Sequence, residues 1–160
     1  MTRLSGYKCT LLVVDDEPSI LDTLKLLLTP EFDVLTADSA DAAQKLFAQN
    51  QIDIILSDQK MPRTSGVQLL EWVKTHHPRV IRLMMTGFAE LEETINAINK
   101  GQVFRFLLKP WQPEHLQDVL RTAAHTFELE RSNERLLKET RDLNEKLREM
   151  NADLENRVAD

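Results

Sequence analysis

The sequence has little of what would indicate a disulfide-stabilised, membrane-spanning or nucleic-acid-binding protein. Its 160 residues include one cysteine, Cys9, which excludes an internal disulfide and fits a reducing compartment. No apolar run reaches the roughly 18 residues that a membrane span requires, and residues 1–10 lack the apolar stretch of a signal peptide. The net charge of −6 and the lack of a basic stripe argue against direct nucleic-acid binding. We therefore expect a cytoplasmic protein that contacts neither membranes nor nucleic acids directly.

Short apolar segments rich in β-branched residues alternate with helical segments along most of the chain. The predicted strands are 10–14, 32–36, 52–56, 80–85 and 103–108, and the predicted helices between them are 18–28, 39–49, 65–76 and 90–100. Ser39 is the predicted N-cap of the second helix, and Gly101 the predicted C-cap of the fourth. The fourth helix carries Leu91, Ile95 and Ile98 at helical spacing. Five strand–helix repeats predict an α/β fold, a flavodoxin-like (βα)5 doubly wound parallel sheet with helices on both faces.

The last predicted helix begins after Pro113 and contains no further proline or glycine. From residue 128 onward it is highly charged, and its apolar residues follow the 3,4 spacing of a heptad repeat. Apolar side chains occupy the d positions and two of the a positions, and the remaining a positions are polar: d at Leu129, Leu136, Leu143 and Met150, and a at Thr126, Asn133, Thr140, Leu147 and Leu154.

A helix this long and polar is only marginally stable alone in water. A polar a position such as Asn133 weakens a coiled coil but favours two strands in one register, so we expect a parallel homodimer. A single solvated helix is the alternative. The chain is accordingly divided into a compact domain at 1–127 and a coiled-coil linker or dimerisation helix at 128–160, continuous with the fifth helix.

Polar or charged side chains mark the ends of four of the five predicted strands. Asp15 and Asp16 follow the first strand, and Asp58, Thr86 and Lys109 stand at the ends of the third, fourth and fifth. A lone aspartate after a strand is usually a turn former or a helix cap. The carboxyl ends of parallel strands, however, meet at the edge of the sheet where such folds place their functional sites. We expect these side chains to converge there.

The chemistry of this group favours phosphoryl transfer. Neighbouring carboxylates repel one another and require a cation, and a ligand set of oxygens without cysteine or histidine favours Mg²⁺. A carboxylate can act as a nucleophile that forms an aspartyl phosphate, and phosphoryl transfer depends mainly on positioning and charge neutralisation. The lysine and threonine would cover phosphoryl oxygens that the cation leaves exposed.

Four segments together carry a family resemblance. They are LLVVDDE at 11–17, SDQKMP at 57–62 followed by Ser65-Gly66, the pair Thr86-Gly87, and FLLKP at 106–110. Over residues 8–127 the chain resembles the receiver domain of a two-component response regulator. The resemblance implies that a sensor histidine kinase or a phosphotransfer protein donates the phosphoryl group, and that the domain is a signalling switch rather than an enzyme.

The resemblance also implies the roles of the residues that hold the metal and the phosphoryl group. Asp58 resembles the phospho-acceptor, Asp16 a direct metal ligand and Asp15 a ligand that acts partly through water. Lys60 would supply a backbone carbonyl to the same Mg²⁺, which Asp58 also contacts. Lys109 resembles the lysine that binds the phosphoryl group.

Further residues resemble the switch of the family. Thr86 corresponds to the hydroxyl that moves toward the phosphate, and Phe106 to the aromatic side chain that turns inward as space is vacated. Lys60 and Phe88 lie two positions after Asp58 and Thr86, where residues in this family tune the lifetime of the phosphoryl group. The Lys109-Pro110 peptide resembles a cis bond of the family.

Two alternatives use similar residues. A phosphatase of the haloacid dehalogenase type combines an aspartate nucleophile, magnesium and a doubly wound sheet, but its nucleophile follows the first strand in an Asp-x-Asp pattern. Here Asp15-Asp16-Glu17-Pro18 does not match, and locating the phosphorylated residue, Asp58 or Asp15, separates the two. The other alternative is a scaffold protein whose pocket has lost its function. The presence of the complete set of strand-end residues argues against it.

The sequence ends within the heptads, so we expect an output domain beyond it. A receiver with such a linker is compatible with a cyclic-di-GMP phosphodiesterase, a diguanylate cyclase, a phosphatase, a kinase or an ATPase-type transcription activator. Phosphorylation can switch any of these on or off.

Overall fold

A computed structural model describes residues 8–100 and 103–159, so Gly101, the expected C-cap, and the segment before residue 8 lie outside the described residues. Five strands alternate with helices. In chain order they are β1 (Thr10–Val14), α1 (Pro18–Leu28), β2 (Asp33–Ala37), α2 (Ala40–Gln49), β3 (Ile54–Asp58), α3 (Gly66–His76), β4 (Ile81–Thr86), a 3₁₀ turn (Phe88–Glu90), α4 (Leu91–Asn99), β5 (Arg105–Leu108) and α5 (Pro113–Ala159).

The strands form one parallel sheet in the order β2-β1-β3-β4-β5. This order confirms the predicted flavodoxin-like, doubly wound fold. The chain reverses direction across the sheet next to β1, because β2 lies on one side of β1 and β3 on the other. The crevice at such a point, at the carboxyl ends of the strands, is where ligands bind in open α/β sheets.

Two apolar layers cover the faces of the sheet, as the near-continuous apolar strands require. Leu11 and Val13 of β1 pack in the layer formed with α1 and the first part of α5, whereas Leu12 and Val14 pack in the layer formed with α2, α3 and α4. This alternation follows from the two-residue period of a strand. Both faces of the central strands are therefore buried, and their polar residues are confined to the ends.

Side-chain caps fix where two of the helices begin. Ser39 accepts a hydrogen bond from the Ala42 amide at the start of α2, as its N-cap assignment predicts. Ser65 and Gln68 form a reciprocal capping box at the start of α3. The start of α3 is thereby set immediately after the loop that follows β3.

The chain divides by its internal contacts within α5, at Phe127 and Glu128. Six apolar side chains of the segment after this point are each between 51% and 61% exposed, namely Leu129, Leu136, Leu143, Leu147, Met150 and Leu154, and Leu137, outside their repeat, is 56% exposed. The spacing of the six is that of the predicted a and d positions, so the segment presents an apolar stripe along a regular helix.

Candidate functional site

The sheet brings the strand-end residues to one edge. Asp58 is the last residue of β3 and Thr86 the last of β4. The parallel hydrogen-bonding pattern continues one residue past the strands. The Asp15 amide donates a hydrogen bond to the Ala37 carbonyl, and the Lys109 amide donates one of 2.8 Å to the Thr86 carbonyl. The backbone of each of these residues is therefore fixed by the neighbouring strand.

Three carboxylates cluster at this edge. One oxygen from each of Asp15, Asp16 and Asp58 lies within 4.8 Å of the others. Asp15 is fully buried and Asp58 is 7% exposed, whereas Asp16 faces solvent. The cluster is thus open on the side of Asp16 and closed beneath by Asp15.

Lys109 bridges two of the carboxylates. Its Nζ lies 2.9 Å from Asp58 Oδ1 and 3.5 Å from Asp15 Oδ2. Burial lowers the pKa of Lys109, but the hydrogen bond that Lys109 donates to Asp58 and the charges of Asp58 and Asp15 outweigh this effect and raise that pKa above its ordinary value. Lys109 is therefore a fixed cation beside Asp58.

One lysine does not satisfy this many carboxylate oxygens. Asp15 Oδ1 accepts a hydrogen bond of 2.9 Å from the Glu17 amide, but Asp15 Oδ2 is buried with only the longer ion-pair contact to Lys109 and no hydrogen bond. Burial raises the pKa of Asp15, and the neighbouring Asp58 and Asp16 charges add to that effect. A buried carboxylate oxygen without a hydrogen bond, next to two other carboxylates, is a donor set that fits a hard divalent cation.

The loop after Asp58 is held against the start of α3. The Gly66 amide donates to the Gln59 carbonyl, and a Cβ on Gly66 would lie 2.3 Å from the carbonyl oxygen of Asp58. Only glycine permits this approach. Lys60 lies in the same loop with an exposed side chain, and Arg63 adopts a positive φ of 70°.

The predicted switch residues lie on β4 and β5. The Thr86 side chain is fully buried, and its hydroxyl donates to the Gly87 carbonyl at 3.3 Å. Phe106 is partly buried against the layer formed with α2, α3 and α4. Phe88 is 79% exposed at the start of the 3₁₀ turn, and the Lys109-Pro110 peptide is cis.

Two side chains near the site were not expected from the sequence. Gln59 is only 3% exposed. Its side-chain amide donates a 2.8 Å hydrogen bond to Glu93 of α4, and its side-chain oxygen accepts a hydrogen bond from the Val67 amide of α3. Thr94 of α4 is fully buried, and its hydroxyl lies 3.1 Å from the Thr86 hydroxyl. A polar residue on the core-facing stripe of α4 was the available signal for Thr94, because Leu91, Thr94 and Ala97 are spaced three apart.

A family model of the response regulator receiver domain matches residues 11–121. The match covers more than half of the chain, and the chain belongs to this family. It is a signalling domain of a response regulator rather than an enzyme. Receivers of this family are phosphorylated by histidine kinases or phosphotransfer proteins and generally bind Mg²⁺ at an acidic pocket, and this chain has a cluster of three aspartates at the edge of its sheet.

Known proteins with similar sequences or structures include both regulators and isolated receivers. The chain is 38% identical over 133 residues to the hydrogenase transcriptional regulatory protein HoxA of Cupriavidus necator, an alignment that covers 83% of this chain and 28% of HoxA. The crystal structure described as adenylate cyclase from Rhodopirellula baltica superposes with a TM-score of 0.80 at 33% identity, covering 82% of this chain and 98% of that chain.

The signal receiver domain of an HD domain-containing protein from Pseudomonas fluorescens Pf-5 superposes with a TM-score of 0.72 at 31% identity, over 76% of this chain and 98% of that chain. The chain thus spans about a quarter of the length of the first curated relatives, 28% and 26%. Within the described residues, every helix is too short or too polar to cross a lipid bilayer.

Proposed function

We propose that the chain is a phosphorylation-controlled switch in which Asp58 accepts the phosphoryl group. A carboxylate oxygen of Asp58 forms the new P–O bond as the P–N bond of a donor phosphohistidine breaks. The observation that carries this assignment is the 2.9 Å ion pair between Asp58 and Lys109 beside two further carboxylates. Lys109 compensates negative charge that the phosphoryl group brings, which is the main catalytic requirement of this reaction.

Asp15, Asp16 and Asp58, with the backbone carbonyl of Lys60, would hold the Mg²⁺ of this site. When bound, Mg²⁺ neutralises charge on the phosphoryl oxygens and on the carboxylates. The buried Oδ2 of Asp15, which lacks a hydrogen bond, supports this assignment, because burying a carboxylate oxygen in this way is unfavourable without a cation.

Thr86 and Phe106 are proposed to convert phosphorylation into a change of packing. The Thr86 hydroxyl would move to a phosphoryl oxygen, and Phe106 would turn into the vacated volume. Such a change shifts an equilibrium between two packings rather than creating a new one. Lys60 and the exposed Phe88 are proposed to shield the acyl phosphate from water and so to extend its lifetime.

The helix from residue 128 is proposed to form a parallel coiled coil with a second copy of the chain. Its half-exposed leucine stripe supports this proposal, because an isolated helix of this composition buries too little apolar surface to be stable. The receiver at 1–127 would transmit its state through α5 into this dimerisation helix.

The output domain that receives the signal is not among the 160 residues. The relatives named above include a transcriptional regulator, an adenylate cyclase and an HD domain-containing protein, so similar receivers serve different outputs. We propose that the chain is the phosphorylated module of a response regulator that acts in the cytoplasm and binds neither a membrane nor nucleic acid directly.

Binding of beryllofluoride, a mimic of the aspartyl phosphate, tests the function directly. Wild type and Asp58→Asn are titrated with beryllofluoride in the presence of Mg²⁺, while tryptophan fluorescence and solution mass are recorded. Trp111, two residues after Lys109, packs against the apolar layer formed with α1 and the first part of α5, so its fluorescence is a suitable reporter. A response in wild type that is lost in Asp58→Asn is expected, and no response in either protein would disprove the proposal.

The same experiment distinguishes two forms of output. A mass that doubles with beryllofluoride means that phosphorylation controls dimerisation. A dimeric mass that does not change means that the signal passes as a rearrangement within a permanent dimer. Mapping the phosphorylated residue to Asp15 instead of Asp58 would support the phosphatase-like alternative.

A further inference from the structure

The hydroxyl of Thr86 contacts the buried Thr94 hydroxyl of α4. Among the described residues, its hydrogen-bond partners are the Gly87 carbonyl at 3.3 Å and the Thr94 hydroxyl at 3.1 Å. The contact to Gly87 is long for a hydroxyl donor. The contact with Thr94, at 3.1 Å, is also longer than an ideal hydroxyl hydrogen bond but is the shorter of the two.

Thr94 has other acceptors within reach. Its hydroxyl lies 3.1 Å from the Glu90 carbonyl, one turn earlier in α4, and 3.4 Å from the Met84 sulfur. A threonine hydroxyl has one hydrogen, so these acceptors compete for it. If Thr86 leaves, Thr94 can donate to Glu90 instead, so its buried hydroxyl stays paired. A bond back to the preceding helical turn is less favourable, so this exchange recovers only part of the lost interaction.

The neighbouring residue ties the same turn of α4 to the other side of the site. Glu93 accepts a 2.8 Å hydrogen bond from Gln59, which follows Asp58 directly in the sequence. Two adjacent residues of α4 are thus attached to the ends of β3 and β4. Movement of Thr86 would break one attachment while the Gln59–Glu93 bond remains.

We propose that Thr94 is a positioning residue of the switch, whose hydroxyl holds Thr86 against α4 in the resting state and opposes its movement to the phosphoryl group. This inference rests on the proposed function, in which Thr86 contacts that group. Movement of the Thr86 hydroxyl to a phosphoryl oxygen would break the Thr94–Thr86 bond. The bond therefore weakens phosphoryl binding and couples it to α4, since α4 loses its hydrogen bond to the end of β4.

The affinity for beryllofluoride in saturating Mg²⁺ tests the role of Thr94. Thr94→Val replaces the hydroxyl with a methyl group of similar shape, and Thr94→Ser keeps the hydroxyl. A neutral hydrogen bond changes an equilibrium constant by about three- to tenfold. We expect Thr94→Val to bind beryllofluoride about three- to tenfold more tightly than wild type, and Thr94→Ser to bind within about twofold of wild type.

A second background separates positioning from general packing. In Thr86→Ala the hydroxyl that Thr94 holds is absent, so adding Thr94→Val should leave the affinity unchanged. Thr94→Ala serves as a second hydroxyl-free variant if valine disturbs folding, which urea unfolding of each variant reveals. An effect of Thr94→Val that persists in the Thr86→Ala background would assign Thr94 a structural role only and overturn the inference.

The remaining outcomes are also distinct. Wild-type binding at Asp58 with unchanged or weaker binding in Thr94→Val overturns the role of Thr94 and leaves the proposed function standing. No binding in wild type, with Asp58→Asn identical to it, overturns the proposed function and the inference together.

Discussion

At the level of a single residue, Asp15 lowers the stability of the fold while contributing to the candidate site. The side chain is fully buried, one of its oxygens has no hydrogen bond, and two other carboxylates lie within 4.8 Å. Burial and these charges raise the pKa of Asp15, so the ionised form is disfavoured in the folded protein without a cation. Substitutions that remove such a conflict commonly stabilise a fold at the expense of its function.

We predict that Asp15→Asn raises the free energy of unfolding without magnesium by about 1 kcal/mol. The asparagine oxygen can still accept the Glu17 amide, while the buried charge is removed. Saturating Mg²⁺ should then stabilise wild type much more than the variant, because a ligand that binds only the folded state adds to its stability. Urea unfolding with and without Mg²⁺ measures both effects.

Asp38→Asn is the matched control, since Asp38 also follows a strand but is exposed and lies outside the carboxylate cluster. It should change neither the free energy of unfolding nor the effect of Mg²⁺. A loss of stability in Asp15→Asn would contradict the view that this carboxylate is held at a cost that magnesium offsets.

Arg63 carries a local strain of a different kind. Its φ of 70° lies in the left-handed region, which costs a residue with a side chain roughly 1–2 kcal/mol. We predict that Arg63→Gly raises the free energy of unfolding by about 0.5–1 kcal/mol, because relief of the strain exceeds the added freedom of glycine in the unfolded chain. Arg63→Ala keeps the strain and should give no gain in the same urea measurement. Equal stability of the two variants would show that the backbone at this position is not strained.

At the level of elements, the junction between β3 and α3 sets the shape of the site. A side chain on Gly66 would lie 2.3 Å from the Asp58 carbonyl oxygen and 2.9 Å from the Gln59 Cα. Both contacts are with backbone, so relief requires the loop or α3 to move. The position of Asp58 therefore depends on a glycine that bears no functional group.

We predict that Gly66→Ala lowers the free energy of unfolding by about 2 kcal/mol or more, as overpacking against backbone does. The affinity for beryllofluoride should also fall, because the displaced segment includes Asp58. Ser65→Ala, which removes the adjacent helix cap, should cost about 1 kcal/mol with little change in affinity. Thermal or urea unfolding and a beryllofluoride titration measure the two effects, and normal affinity in Gly66→Ala would refute the coupling.

The sequence predicted the elements that follow from local patterns better than those that follow from tertiary contacts. The bounds of β1 and α1 were predicted as observed, because an apolar run and a proline-led amphipathic stretch mark them. The strand predicted at 52–56 is found as Ile54–Asp58. Its pairing with β4 continues through polar Ser57 and Asp58, which an apolar pattern does not mark.

In the fourth helix, too, the local sequence pattern did not identify every residue that faces the core. Ile95, part of its predicted apolar pattern, is 44% exposed, whereas Thr94 and Ala97 are buried. The convergence of Asp15, Asp16, Asp58 and Lys109 could be predicted, because parallel strands carry their ends to one edge. The hydrogen bond from Gln59 to Glu93 of α4 and the hydrogen bond from Thr94 of α4 to Thr86 could not be predicted. Both depend on how side chains of different elements are oriented toward one another.

At the level of the whole molecule, the proposed output depends on whether the segment after residue 128 pairs. Its apolar stripe contains Leu143 at a d position, 61% exposed. In a two-stranded coil this side chain would pack into the facing helix. We predict that Leu143→Asp makes the protein monomeric, because an aspartate there would be buried without a partner in both helices. Arg141→Asp adds the same side chain outside the stripe and should leave the mass unchanged.

Whereas Leu143→Asp is predicted to abolish the dimer, a substitution of Asn133 is predicted to stabilise it. A buried asparagine at an a position lowers stability but restricts a coil to two strands in one register. Asn133→Leu should therefore raise the melting temperature of the dimer while adding species larger than a dimer to the mass distribution in light scattering. A mass that is monomeric in wild type and unchanged in Leu143→Asp and Asn133→Leu would mean that the segment does not pair. The signal from Asp58 would then have to leave through the receiver's own surface, and α4, with its attachments to Thr86 and Gln59, would be the element that carries it.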